Sequence, residues 1–282
     1  MNKRRLGRTG EWLSIIGFGG IIVMNRDHSS ASSIVAKAVE RGINYFDVAP
    51  SYGNSEEVLG PALEPYRDKV FLACKTEKRS REEAAAALER SLRLLRTDHF
   101  DLYQLHSVDT LKDVEQVMGP GGAIEALTEA REQGLARYIG FTSHSEEAAL
   151  ALLNRFDFDT MLFPFNWVSW HQANFGPRVL NKAVEKGVGI LAIKALAKRK
   201  WKPHEKDKYE WPRWYATVES FEEASLALRF TLSLPVTAAV SPSRVELLWW
   251  ACDIADQFKP LSEEEKNQIA ERSSSLEPVF PQ

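Results

Sequence analysis

The chain has 282 residues, 44% of them hydrophobic and 27% charged, with a formal net charge of −3 at pH 7. A chain of this size buries an adequate core without staples, and its length suits one (β/α)8 barrel of typically ~250 residues, so a single domain over residues 1–282 is expected. The charge leaves no basic footprint for nucleic acid. Two cysteines, Cys74 and Cys252, exclude a zinc ribbon or a CxxC redox site, and no apolar run approaches the ~20 residues needed to span a bilayer.

The stretch 3–14 carries the turn sequence Gly7-Arg8-Thr9-Gly10 and predicts a β-hairpin capping the closed end of a barrel. Eight apolar runs follow as predicted strands, at 15–18, 43–46, 70–74, 100–105, 138–141, 160–164, 188–193 and 236–240. They are near-continuously apolar, as strands buried on both faces are. Helical stretches alternate with them. In 81–95, Leu88, Leu92 and Leu95 share one face, and Ser80 with Glu83 opens the helix. Ser220 with Glu223 and Ser262 with Glu265 mark two further helix starts. Gly42, Gly134 and Gly187 each stand between a helix and a strand, where a left-handed C-cap is wanted. Two stretches read as long loops. One is 166–177; the other, 195–219, carries Trp201, Tyr209, Trp211, Trp214 and Tyr215. The basic clusters Lys3-Arg4-Arg5 and Lys198-Arg199-Lys200 read as solvated surface. The basic start has no apolar leader behind it, which predicts a reduced, cytoplasmic compartment.

Eight strands alternating with helices form either an open doubly wound sheet or a closed barrel. The open sheet wants a GxGxxG turn after its first strand. Gly17 and Gly19 are present, but the third position is Ile22, so the fingerprint fails. In a barrel, active residues gather at the carboxyl ends of several strands. Asp47, Lys75 and His106 lie at the ends of the second, third and fourth strands, and Tyr52 lies in the loop after the second. The α/β barrel is therefore the predicted fold.

Each of these four residues alone reads as well as a structural one; together they suit protonation of a carbonyl oxygen during hydride transfer. A free phenol has a pKa of ~10, and a nearby ammonium such as that of Lys75 is expected to lower it. Asp47 holds Lys75 charged through an ion pair, and His106 donates to the substrate carbonyl. No metal-ligand cluster is evident.

At FDVAPSYGNSEEVLG, at the Lys of LACKT and at DLYQLHS the chain resembles the aldo-keto reductase family. The likeness extends through LGRTG–IGFGG and RYIGFTSHS, from about residue 3 to about residue 250. It implies a (β/α)8 barrel that binds extended NAD(P)H across its mouth without a Rossmann domain. It also implies Tyr52 as general acid, Lys75 and Asp47 tuning it, His106 positioning the carbonyl, and a small-molecule aldehyde or ketone as substrate. Thr142-Ser143 stands where the family has Ser-Asn gripping the carboxamide; Ser143 is equally placed to cap the next helix, with Glu146 in the box position. Phe163 falls near the family's Gln. Lys194 stands near the family's stacking aromatic, where it meets the cofactor pyrophosphate or solvent. Ser241, Ser243 and Arg244 open a helix after the last strand, an anion site in which Arg244 favours the 2′-phosphate of NADPH over NADH. Leu247-Leu248 replace the family's acidic-amide pair. Met24, Trp167, Trp170 and Trp201 are candidates for the substrate pocket, among loop aromatics that also include His171, Trp211 and Trp214; packing on one another or on a partner subunit is the other reading of these tryptophans. Oligomeric state is open. A second functional class, a nucleotide-binding regulatory subunit with vestigial reductase activity, fits the altered nicotinamide contacts. A hydrolase or lyase barrel fits less well.

Overall fold

The computed structural model describes residues 1–205 and 214–281. The chain opens with β1 (Lys3–Arg5) and β2 (Trp12–Ser14), an antiparallel hairpin in which Arg4 faces Leu13. Then come β3 (Ile16–Gly19), β4 (Tyr45–Asp47), β5 (Phe71–Thr76), β6 (Phe100–Leu105), β7 (Ala136–Thr142), β8 (Thr160–Pro164) and β9 (Gly189–Ile193). A two-strand ribbon, β10 (Ala197–Arg199) and β11 (Ala216–Thr217), follows, and β12 (Ala238–Val240) completes the strands. β12 and β3 to β9 close into one parallel ring in the order β12-β3-β4-β5-β6-β7-β8-β9. Helices connect them, so the architecture is the predicted (β/α)8 barrel, and every predicted apolar run contributes a strand.

Two apolar layers hold the ring. The larger lies between strands and helices, where Phe18, Phe46 and Phe141 are among the fully buried rings. The smaller lies inside the ring, where Leu6 and Leu13 of the hairpin segment pack under Tyr45, Phe71, Leu102 and Leu191. The hairpin thus plugs the closed end, and burying each such side chain contributes about 1.5–3 kcal/mol. The polar chemistry is left to the opposite mouth.

Helix ends follow the local sequence. Ser80 caps Arg81–Leu94 by accepting from Glu83 N, and Ser262 with Glu265 forms a full reciprocal box ahead of Glu263–Ser273. Ser220 caps Phe221–Ser233. Gly42, Gly134 and Gly187 take φ of 87°, 76° and 66°, as left-handed turns after helices require.

Three expectations need correction. The stretch 166–177 is not a plain loop. Asn166 accepts from Val168 N and Ser169 N, which starts a short helix, Trp167–Ala173, and left-handed Asn174 ends it. The stretch 195–219 contains β10 and β11; its Tyr209 and Trp211 lie outside the described residues. The basic clusters are not simply solvated. Arg4 donates to Val236 O and Leu232 O, both at 2.8 Å, which ties the hairpin to the barrel. Lys198 pairs with Glu223 and Arg199 with Glu205.

Cys74 and Cys252 are buried free thiols. Among the described residues no helix is long and apolar enough to cross a membrane.

Candidate active site

Parallel register assembles the site. Asp47 on β4 pairs with Ala73 on β5, and Lys75, two residues on, shares the inward face. Lys75 in turn pairs with Gln104 on β6, and Gln104 with Gly140 on β7. Lys75 Nζ reaches Asp47 Oδ2 at 2.5 Å and Val48 O at 3.1 Å. Gln104 Nε2 donates to Asp47 Oδ1 at 3.2 Å, and Tyr45 OH approaches the same oxygen at 3.4 Å. Lys75 is 1% exposed and Asp47 2%. A pair this deep persists only because each charge has its counter-ion and further hydrogen bonds. Gly140 is needed beside it, since a Cβ there would press on Thr160 Oγ1 and stand 3.2 Å from Gln104 Cγ.

Tyr52 follows in the loop after β4. Its ring lies 5.6 Å from Lys75 Nζ and meets the His106 ring edge-on at 6.3 Å. Burial pushes the Tyr52 phenol up from its ordinary value, outweighing the opposing pull of Lys75. The expected lowering by Lys75 is therefore present but loses to desolvation, and the phenol keeps its proton. Burial also works to lower Lys75, but Asp47 and the neighbouring phenol hold it above the usual ammonium value. His106 is pushed well below its ordinary range, first by burial and then by Lys75, His144, Arg79 and Lys194. It is a neutral imidazole with one proton to donate. Its Nδ1 is enclosed and makes no hydrogen bond, with Glu77 Oε1 3.4 Å away. Arg79 fixes the turn after β6 by donating to His106 O at 2.9 Å and Ser107 O at 2.7 Å.

Tyr52, Lys75 and His106 face a cavity of about 370 Å³. Of its walls, Trp214 was among the expected loop aromatics, whereas Asp109, Tyr215 and Phe280 were missed. Asp109 holds His144 through both His144 N, at 2.5 Å, and Nδ1, at 3.3 Å. Phe280 stacks on the His144 ring at 5.3 Å. Trp214, 63% exposed, and Tyr215 close another side. A polar TSHS run after a strand end was the one signal that pointed to His144; Asp109 and Phe280 had none. Met24, Trp167, Trp170 and Trp201 are not among the lining residues, contrary to expectation. Trp167 is pulled into the core by its indole hydrogen bond to Ala197 O at 3.1 Å. Trp170 packs edge-on against Phe230, and Met24 lies beneath Gly53.

The expected cofactor residues divide. Thr142 lines the cavity, its Oγ1 accepting from Ser107 N at 2.8 Å. Ser143 is fully buried, is not among the lining residues, and is bonded to the Ser145 backbone. It does not cap the next helix, because Ser145 does that by accepting from Ala148 N. Lys194 lines both this cavity and a smaller neighbour that runs to Ser241, Pro242 and Ser243. Arg244 is outside that lining and is engaged by Glu246 Oε1 at 2.9 and 2.5 Å. The polar groups along these two chambers, Thr142, Lys194, Ser241 and Ser243, suit an anionic nucleotide. The helix Val245–Asp256 begins without a side-chain cap, so its first N–H groups are open to an anion beside Ser241 and Ser243.

Comparison with known proteins agrees with this geometry. The profile of the aldo/keto reductase family matches residues 16–272. An aldo-keto reductase from Bacillus halodurans, solved in its holo form, superposes with a TM-score of 0.76 at 25% identity, covering 99% of this chain and 98% of that one. An uncharacterized oxidoreductase of Bacillus subtilis (strain 168) is 33% identical over 51% of this chain and 49% of its own length. L-glyceraldehyde 3-phosphate reductase of Escherichia coli (strain K12) is 27% identical over 70% of this chain and 62% of its own length. The chain spans about half the length of curated relatives such as the first. With an eight-strand ring, the buried lysine–aspartate pair and a family match over most of its length, the chain belongs to the aldo/keto reductase family.

Proposed function

We propose that the protein reduces an aldehyde or ketone to an alcohol at the expense of NADPH, with Tyr52 as proton donor. The carrying observation is the buried Lys75–Asp47 pair standing beneath Tyr52 and beside a neutral His106 on one cavity wall. A bound nicotinamide cofactor supplies the hydride. Ser241, Ser243, the open helix start behind them and Thr142 would hold it, with Arg244 at the 2′-phosphate once released from Glu246.

The chain's own residues do the rest. Burial keeps the proton on Tyr52 at neutral pH, so the phenol is a loaded acid facing the cavity. His106 donates its single proton as a hydrogen bond and orients the carbonyl oxygen toward Tyr52. Lys75, kept charged by Asp47, stabilises the phenolate left when that proton moves. The low-dielectric pocket strengthens each of these effects.

Replacing Tyr52 with Phe tests this reading. Carbonyl turnover should fall by about 10²–10⁴ while NADPH still quenches tryptophan fluorescence; undiminished turnover would refute it. A second reading, a nucleotide-binding regulatory subunit, is favoured by Ser143 being buried against the Ser145 backbone and Arg244 being occupied by Glu246. It predicts that Tyr52→Phe leaves the cellular role intact.

A further inference from the structure

Lys194 follows β9 directly and lines both chambers of the mouth, together with Tyr52, Ile193, Trp214 and Tyr215. Its backbone is left-handed, with φ of 66°, a conformation that non-glycine residues seldom adopt. The turn is clamped by its own carbonyl, which accepts from Asn166 Nδ2 at 3.0 Å and Ala197 N at 2.9 Å. Observed strain of this kind gathers where a side chain must be aimed.

Most of the other charged side chains at this mouth have a close partner. Lys75 is ion-paired with Asp47, and Asp109 is hydrogen-bonded to His144. Arg79 has Asp113 and two carbonyls. Glu77 stands half-exposed near His106. Among the described residues Lys194 has no carboxylate within ion-pair distance; its ammonium lies over the rings of Trp214 at 5.0 Å and Tyr215 at 4.9 Å. Burial, with help from Lys75 and against the pull of Asp109, lowers Lys194 to about 8. An incoming anion would reverse that loss and hold the lysine charged.

We propose that Lys194 receives a carboxylate on the carbonyl substrate, so that the preferred substrates are small oxo acids. The inference rests on the reductase reading above. It follows from Lys194 and Tyr52 lining one cavity: a molecule presenting its carbonyl oxygen to Tyr52 and His106 shares that cavity with an ammonium that has no carboxylate within ion-pair distance among the described residues.

The test uses the full chain with NADPH and matched substrates: succinate semialdehyde against its amide, and levulinate against levulinamide. In Lys194→Met the carboxylate-to-amide ratio of kcat/KM should fall about 30-fold, and Lys194→Arg should restore most of it. Levulinate should also quench tryptophan fluorescence of the cofactor-free protein through Trp214, and should cease to do so in Lys194→Met. Turnover with an equal ratio in wild type and Lys194→Met overturns the proposal and leaves the reductase reading standing. Weakened NADPH binding with an unchanged ratio also overturns it, moving the anion to the cofactor pyrophosphate. Absence of all carbonyl turnover, with Lys194-dependent levulinate quenching, supports the anion site and overturns the reductase reading instead.

Discussion

Gln104 donates to the Asp47 oxygen that Lys75 leaves free, and it does so from the strand position directly beside Lys75. Asp47 is therefore held from both sides inside the ring. Gln104→Leu removes one donor from a buried carboxylate, which costs about 1–3 kcal/mol. Urea unfolding should show a loss of that size. The kcat for carbonyl reduction should drop about tenfold, with KM changed less, because a loosened Asp47 no longer fixes Lys75. Wild-type stability in this variant would show that the hydrogen bond carries nothing.

Lys75→Met leaves Asp47 buried without its counter-ion. Breaking such a pair destabilises by about 3–5 kcal/mol. Adding Asp47→Asn should recover much of that stability, since the uncompensated charge is gone, yet restore no turnover. A thermal-melt cycle over the two single variants and the double variant measures the coupling. Strict additivity would mean that the pair is not coupled.

The depressed pKa of His106 makes a stability statement. The unfolded chain takes up a proton at this residue as pH falls through 6.5, while the folded chain does not until well below it. Proton uptake therefore favours the unfolded state, and stability present above pH 6.5 is lost as pH falls through that window. His106→Gln should flatten this limb of the stability profile. An unaltered acid limb would assign it to other groups.

Gly140→Ala places a methyl group against Thr160 Oγ1 and near Gln104 Cγ. Overpacking of this kind costs about 1–3 kcal/mol and should also reduce turnover by displacing Gln104. Thr160→Ala removes the obstructing hydroxyl, which has no hydrogen-bond partner, so the double variant should regain part of the stability. Equal melting temperatures for Gly140→Ala and the double variant would place the strain elsewhere.

Apolar runs ending in polar residues were enough to read the ring and to put Asp47, Lys75 and His106 at one mouth, because parallel strands in register align their ends. What escaped was whatever depended on side-chain direction. Trp167 looked like a pocket residue until Asn166 began a helix there and turned the indole to Ala197 O. Gln104 and Gly140 sit within strands, where a polar side chain and a bare backbone give no hint that they face each other. Phe280 reaches His144 from 136 positions away, a contact no local pattern encodes. The direction of the Tyr52 shift was missed because sequence supplies the neighbouring charge but not the depth of burial.

The ring closes where β12 meets β3, and there Gly19 N donates to Ser241 Oγ at 3.1 Å across 222 positions of sequence. Both residues also belong to the wall of the smaller chamber. The last stitch of the barrel and the lip of its mouth are one piece of backbone. A chain whose ends have not met has no chamber beside Tyr52, so whatever occupies that chamber also fastens the first strand to the last.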